Sequence, residues 1–263
     1  MKLKTLLDQN VSEFGEYPFL FHHDKQYSNV ETKEYADRIS NGLHTLGIRK
    51  GDRVVVCMPN CPEVIFSYQG ITRLGAVIVP ILFTLHPKEI HYILKNSNAK
   101  AVIASSYTAE TIRKATVGLE DEPLLIVTDL PSKDGKINLY SMMSKKTNQF
   151  GEPDSENDDI AVILYTSGTT GQPKGVLLTH KNLYSNAKNS AIHHNTDRGT
   201  TLGVLPLAHV YGLTISNTCF ITGSSIVIFP RFDPKEIFEA IQNYKIRSFS
   251  AVPAIFMPCT LVH

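Results

Sequence analysis

Apolar residues along this chain follow two alternating patterns. Short β-branched runs are separated by stretches in which every third or fourth residue is apolar. Val54, Val55, Val56 and Cys57 form an unbroken apolar run after Arg53, as a strand buried on both faces requires. Tyr35, Ile39, Leu43 and Leu46 share one helical face, and Gly47 follows as a stop. Leu3, Leu6 and Leu7 mark the face of another helix near the start. A helix with Pro62 in its first turn and Gly75 at its end leads into a strand over 76–81. Residues 87–96 then read as a helix, and 100–105 and 124–127 as strands. The stretch 131–159 is rich in Ser, Lys, Asn and Asp and predicts an exposed connection. The alternation resumes at Ile160. Strands interleaved with helices of this length predict an α/β fold with mostly parallel sheets. We expect two βαβ-type lobes, over 1–130 and 160–263, joined by the polar linker 131–159.

The two expected lobes echo each other. Pro87-Lys88-Glu89-Ile90 recurs as Pro234-Lys235-Glu236-Ile237, 147 positions later. Each copy follows an apolar strand that ends in proline, at Pro80 and Pro230. At the same offset Leu94 falls on Ile241, Asn96 on Asn243 and Lys100 on Arg247. Pro-Lys-Glu is a common helix opening. The agreement of the flanking elements is what favours a repeat of one βαβ layer.

Composition narrows the function classes. The chain has 263 residues, 42% hydrophobic and 19% charged, with a formal net charge of +1. That balance gives no reason to expect a nucleic-acid or membrane-surface binder. Cys57 and Cys61 have the look of half a metal site, but no second pair stands at ligand spacing, so small apolar fillers is the favoured reading. Four cysteines in a chain this long suggest no disulfide framework, and a reducing, cytoplasmic setting is expected. The first ten residues lack the apolar stretch of a signal peptide. The longest apolar run, 75–85, contains Pro80 and is too short for an integral membrane segment. The Asn10-Val11-Ser12 sequon is read as chance.

The most informative stretch begins at Ile160. An apolar strand, 161–165, runs into Thr166-Ser167-Gly168-Thr169-Thr170-Gly171-Gln172-Pro173-Lys174-Gly175, and a second apolar run follows. Glycines let a backbone turn sharply and bring N–H groups close to an anion. The four hydroxyls can donate to phosphate oxygens, and Lys174 adds a compact positive charge. A Walker A loop would have glycine before the lysine and Ser or Thr after it, where Pro173 and Gly175 stand here. The bland alternative is a flexible Gly/Thr hairpin that binds nothing.

This decapeptide resembles the signature of the adenylate-forming superfamily, which includes acyl-CoA synthetases, aryl-CoA ligases, luciferases and peptide-synthetase adenylation domains. The resemblance extends through 46–54, 75–80, 179–186, 206–212 and 225–253, so it covers essentially the whole chain. Residues 161–186 look most like bacterial long-chain fatty-acid–CoA ligases. The resemblance implies activation of a fatty acid with ATP and Mg2+ to an acyl-adenylate, then transfer to CoA. It implies ATP contacts from Thr166, Ser167, Gly168, Thr169, Thr170, Gly171 and Lys174, with Thr166 also near the metal. In Pro206-Leu207-Ala208-His209-Val210-Tyr211-Gly212, it places His209 beside the acyl group and Tyr211 on the wall of the acyl pocket. His209 and Lys174 are thus the expected catalytic residues, although a lone histidine is more often a surface or core residue. Arg231, otherwise an exposed cation before a helix, is matched to a residue facing the CoA phosphates. His193, His194, His180 and Lys181 are given no chemistry, and Thr179 is a candidate cap for the next helix.

Enzymes of this kind continue past the equivalent of His263 into a motif with an aromatic residue and a glutamate. A ribose-binding aspartate, a hinge and a small lysine-bearing domain follow. None has a counterpart here, so truncation and little activity of the isolated chain are expected. Three rivals stand beside the fatty-acid reading: a noncatalytic nucleotide-binding or interaction module, an aryl-CoA ligase and a fatty acyl-AMP ligase. Small-molecule partners are expected, and a homodimer is admitted.

Overall fold

The computed structural model describes residues 3–128, 137–144, 155–166, 172–193 and 198–253. A short 3-10 turn at Leu3–Thr5 leads into α1 (Leu6–Phe14), and then the hairpin β1 (Pro18–His22) and β2 (Lys25–Ser28). Next come α2 (Asn29–Thr45), β3 (Arg53–Cys57), α3 (Pro62–Arg73), β4 (Val77–Pro80), α4 (Pro87–Ser97) and β5 (Ala99–Ala104). They are followed by α5 (Ser106–Thr116), β6 (Leu124–Val127), β7 (Ile137–Asn138) and α6 (Leu139–Met143). A second hairpin, β8 (Ile160–Thr166) and β9 (Lys174–Thr179), precedes α7 (His180–His193) and β10 (Thr200–Gly203). The described chain closes with α8 (Val210–Thr222), β11 (Ser225–Ile228), α9 (Pro234–Asn243) and β12 (Ser248–Phe249).

The strands form two sheets. One has the order β7-β6-β5-β3-β4-β8-β9 and the other β12-β10-β11-β1-β2. All neighbours are parallel except within the two hairpins, so the α/β expectation with mostly parallel sheets holds. The period of 2 along a strand divides the core. Val54 and Val56 join the cluster between the sheets, together with Phe19, Ile226 and Phe220. Val55 and Cys57 face the other way, onto Ile90, Ile93 and Ile112 of α4 and α5. On the far side of the second sheet, Leu202 and Val227 pack on Ile237 and Ala240 of α9. Helix α3 is buried along its whole length, which explains why it lacks a polar face.

The repeat is visible in detail. β3-α3-β4-α4-β5 and β10-α8-β11-α9-β12 have the same order, and the third strand of each lies beside the first, away from the second. Gly75 and Gly223 both take positive φ, 71° and 65°, in the turn that leaves α3 or α8 for the next strand. Asn98 and Lys245, at the ends of α4 and α9, both have φ of 48°. The 87–96 and 234–243 segments are both helices between strands, as the echo requires.

Two findings depart from the sequence reading. First, the sheets trade strands across the expected lobe boundary. β1 and β2 lie against β11 in the second sheet, and β8 and β9 lie against β4 in the first. Each repeat lends its hairpin to the other. Second, the stretch read as an exposed linker contains β7 and α6. Leu139, Met142 and Met143 are buried, β7 pairs with β6, and Arg38 of α2 donates to the Met143 carbonyl at 2.8 Å. Leu139, Met142 and Met143, with the half-buried Ile137, supply the burial that holds a short element inside a polar stretch. Residues 129–136 and 145–154 of that stretch lie outside the described residues.

Candidate functional site

Hairpin β8-β9 presents the glycine- and hydroxyl-rich loop. Thr166 and Lys174 are opposite one another in the antiparallel register, so they close the stem beneath the connection. Directly opposed residues project to the same face of a sheet, so the Lys174 and Thr166 side chains leave the stem on one face. Ser167, Gly168, Thr169, Thr170 and Gly171 lie outside the described residues. Tyr165 anchors the stem: its hydroxyl donates to Asn96 Oδ1 at 2.7 Å, at the end of α4. Burial, reinforced by nearby Tyr92, pushes the Tyr165 phenol above its usual pKa, so it stays a neutral donor.

A cavity of about 520 Å3 opens at this stem. Its walls come from three loops at strand C-terminal ends, where parallel α/β sheets place ligands. Leu164, Tyr165, Thr166 and Pro173 come from the hairpin, Pro80, Ile81, Leu82 and Leu85 from the end of β4, and Ala208, His209 and Val210 from the loop after β10. Glu89 and Ile93 of α4 complete the lining. The Glu89 carboxylate is tied down, accepting from the His86 N–H at 2.8 Å as half of a capping box.

His209 is the N-cap of α8. Its Nδ1 accepts from the Tyr211 N–H at 3.3 Å. An accepting Nδ1 leaves the proton of the neutral ring on Nε2, so the ring offers an N–H donor from its far edge. The loop that carries it folds back tightly. His209 N–H donates to the Pro206 carbonyl at 2.9 Å, and a Cβ on Gly212 would stand 2.2 Å from that same oxygen. Glycine is therefore required in the first turn of α8.

The structure thus brings Thr166 and His209 to one cavity, with Lys174 on its stem. Tyr211 is exposed beside it and contributes its backbone N–H. Arg231 is exposed after β11 and does not line the cavity. The Thr179 cap is present: Thr179 Oγ1 accepts from the Asn182 N–H at 3.1 Å. Cys57 and Cys219 are buried, and burial pushes both thiols up to about 12. Among the described residues no group of three His, Cys, Asp or Glu side chains could hold a metal ion. Nor is any described helix long and apolar enough to cross a membrane. His194 and Cys259 lie outside the described residues.

The sequence reading missed the β4–α4 wall. A signal was available: β4, like β8 and β10, ends in a loop, and parallel α/β sheets place ligands at such strand ends. A second cavity of about 310 Å3 lies at the other hairpin, and the loop after β11 does not line it. It is lined by His22, His23, Asp24 and Lys25 of the β1-β2 tip and by Pro62 and Glu63 of α3, with Tyr140 donating to Glu63 at 2.6 Å.

Comparison with known proteins gives a consistent picture. The profile of the AMP-binding enzyme family matches residues 7–263. The chain is 30% identical to 4-coumarate–CoA ligase 1 of Solanum tuberosum over 98% of its own length and 48% of that protein. It is 29% identical to the long-chain-fatty-acid–CoA ligase of Bacillus subtilis (strain 168), over 97% of its own length and 51% of the relative's. The inhibitor-bound N-terminal domain of FACL13 from Mycobacterium tuberculosis superposes with a TM-score of 0.89 at 30% identity, covering 100% of this chain and 66% of that one. The chain spans about half the length of the curated relatives it matches.

Proposed function

The chain belongs to the AMP-binding enzyme family, and from that premise we propose that it forms the phosphate- and acyl-binding part of an acid–thiol ligase whose acid is a long-chain fatty acid. In the first half-reaction a carboxylate oxygen bonds to the α-phosphorus of ATP. The bond to the bridging oxygen breaks, and pyrophosphate leaves with its electron pair. In the second, the CoA thiolate adds to the acyl carbonyl and AMP departs.

The observation that carries the proposal is the shared cavity. A hydroxyl- and lysine-bearing stem and a histidine with a fixed donor edge converge on one apolar-walled space. Thr166 and Lys174 hold the departing phosphates. His209 Nε2–H donates to the carboxylate or its acyl-adenylate, and the aliphatic walls take up the tail of the acid. A magnesium ion fits the donor chemistry at the stem, because the exposed Thr166 hydroxyl is a hard oxygen and Mg2+ bound through phosphates needs few protein ligands. When bound, it would neutralise charge building on the phosphate oxygens. CoA is the acyl acceptor in this reading, with Arg231 near its phosphates. The aliphatic lining by Ile81, Leu82, Leu85, Ile93 and Leu164 supports an alkyl chain over an aromatic ring as the acid's tail.

Titration calorimetry tests the assignment on the 263-residue chain. Lys174→Ala is expected to weaken binding of magnesium–ATP by roughly ten- to a hundredfold, since a charge-assisted bond contributes about 1.5–3 kcal/mol. Palmitate is expected to bind more tightly than 4-coumarate. Unchanged nucleotide affinity in a folded Lys174→Ala chain would remove the phosphate role, and a preference for 4-coumarate would move the assignment to an aryl acid.

A further inference from the structure

We propose that Asn60, on the loop between β3 and α3, is a positioning residue for His209. The inference rests on the acyl-facing role given to His209 above. Asn60 is buried, and its side-chain amide makes two bonds to a segment some 145 residues away. Nδ2 donates to the Leu205 carbonyl at 2.9 Å, and Oδ1 accepts from the Leu207 N–H at 2.8 Å. The other backbone group of the same residue is held too: the Tyr68 hydroxyl of α3 donates to the Leu207 carbonyl at 3.3 Å. Leu207 is therefore fixed at both its backbone groups by the first repeat, two residues before His209.

This arrangement does more than satisfy a buried amide. Among the described residues the segment from Val204 to His209 has no ladder partner of its own, because β10 ends at Gly203 and α8 begins at Val210. Asn60 acts as a one-residue strand partner, offering a donor and an acceptor where a neighbouring backbone would. With Leu207 pinned, the Pro206 carbonyl meets the His209 N–H, His209 takes the extended conformation of an N-cap, and its Nδ1 meets the Tyr211 N–H. The chain of contacts from Asn60 thus ends in the ring tautomer that points a donor outward. Asn60 and the loop it grips occupy corresponding places in the two repeats, each between a first strand and a buried helix. The proposed acyl-facing loop is held by its own structural counterpart.

The test uses the full 263-residue chain with 15N-labelled histidine, His209 being assigned by its loss in His209→Gln. In the parent chain the two ring nitrogens should show a single Nε2–H tautomer, and palmitate should shift them. In Asn60→Ala we expect faster solvent exchange of the Leu207 amide, a mixed-tautomer His209 signal and palmitate affinity lower by about tenfold, the equivalent of one good hydrogen bond. Magnesium–ATP affinity, which depends on the β8-β9 stem, should stay within about twofold. Asn60→Asp sets a second oxygen against the Leu205 carbonyl, so it too should loosen the loop and mix the His209 tautomers; it replaces the alanine variant if the latter does not fold. Equal losses of both ligands, or an unchanged His209 signal in the folded variants, would overturn the positioning role. If palmitate fails to move His209 in the parent chain, the acyl-site reading falls instead. The ligand-free His209 tautomer signal would still decide the role of Asn60: a change in the variants supports it and no change overturns it.

Discussion

His22 shows how a single side chain reports its surroundings. It sits at the end of β1, with Nδ1 3.2 Å from the Ile228 carbonyl of β11, and burial pulls its pKa below the usual 6.5. The carbonyl contact opposes that shift, and His23 alongside adds to it. A histidine whose folded pKa is depressed favours the unfolded state once that state protonates. Its contribution is therefore complete above about pH 6.5 and is lost as pH falls through the folded value. Urea unfolding at pH 7.5 and 5.5 should show a smaller acid loss in His22→Gln than in the parent chain, and an equal loss would refute this account. At this scale the sequence was only partly legible. Thr166, Lys174 and His209 could be singled out because their chemistry is packed into local motifs. Asn60, Tyr68 and Tyr165 could not, since an asparagine or tyrosine whose partner lies in a distant element carries no local sign of it.

Elements were easier to read where their ends carry local signals. Pro87 and Pro234 open α4 and α9 in the first turn, and Asp233 Oδ1 accepts from the N–H groups of Lys235 and Glu236. Ser28 and Glu31 form a reciprocal capping box at the start of α2. Ser28→Ala should lower unfolding free energy by about 1 kcal/mol. Ser28→Thr should recover most of it, since a hydroxyl can still accept from the Glu31 N–H and donate to Glu16, and denaturant titration of both checks the cap against general surface effects. Helix α6 escaped notice because it is five residues long inside a polar stretch, although Asn138 caps it by accepting from the Ser141 N–H at 3.0 Å. Met142 packs where a Cβ on Gly42 would stand, at 2.9 Å, so the glycine in α2 and the methionine in α6 are complementary. Strand β12 is only two residues long, Ser248–Phe249, at the edge of its sheet, where a ladder has one neighbour to define its length.

At the scale of the molecule, the echo between the halves was legible and the exchange of hairpins was not, because periodicity says which residues form strands and nothing about which sheet receives them. The exchange is well packed: Phe19 of β1 stacks on Phe220 of α8 with ring centroids 4.4 Å apart. The two exchanged hairpins differ at their tips. His23 and Asp24 make a two-residue turn in one, while the connection in the other is longer and rich in glycine and hydroxyl residues. The same exchange bears on how the chain can fold as it leaves the ribosome. Strand β4 has an open edge until β8 is made, about 80 residues later, and β1 waits about 200 residues for β11. At synthesis rates of about 5–20 residues per second, those waits are roughly 4–16 s and 10–40 s. Arrested nascent chains should become resistant to protease stepwise, first as β8-β9 emerges and again after β11; resistance already complete once β7 has emerged would contradict this order. During the first interval the open edge of an apolar strand is exposed to neighbouring polysomes, which makes this stretch of synthesis the period when a holding chaperone matters most.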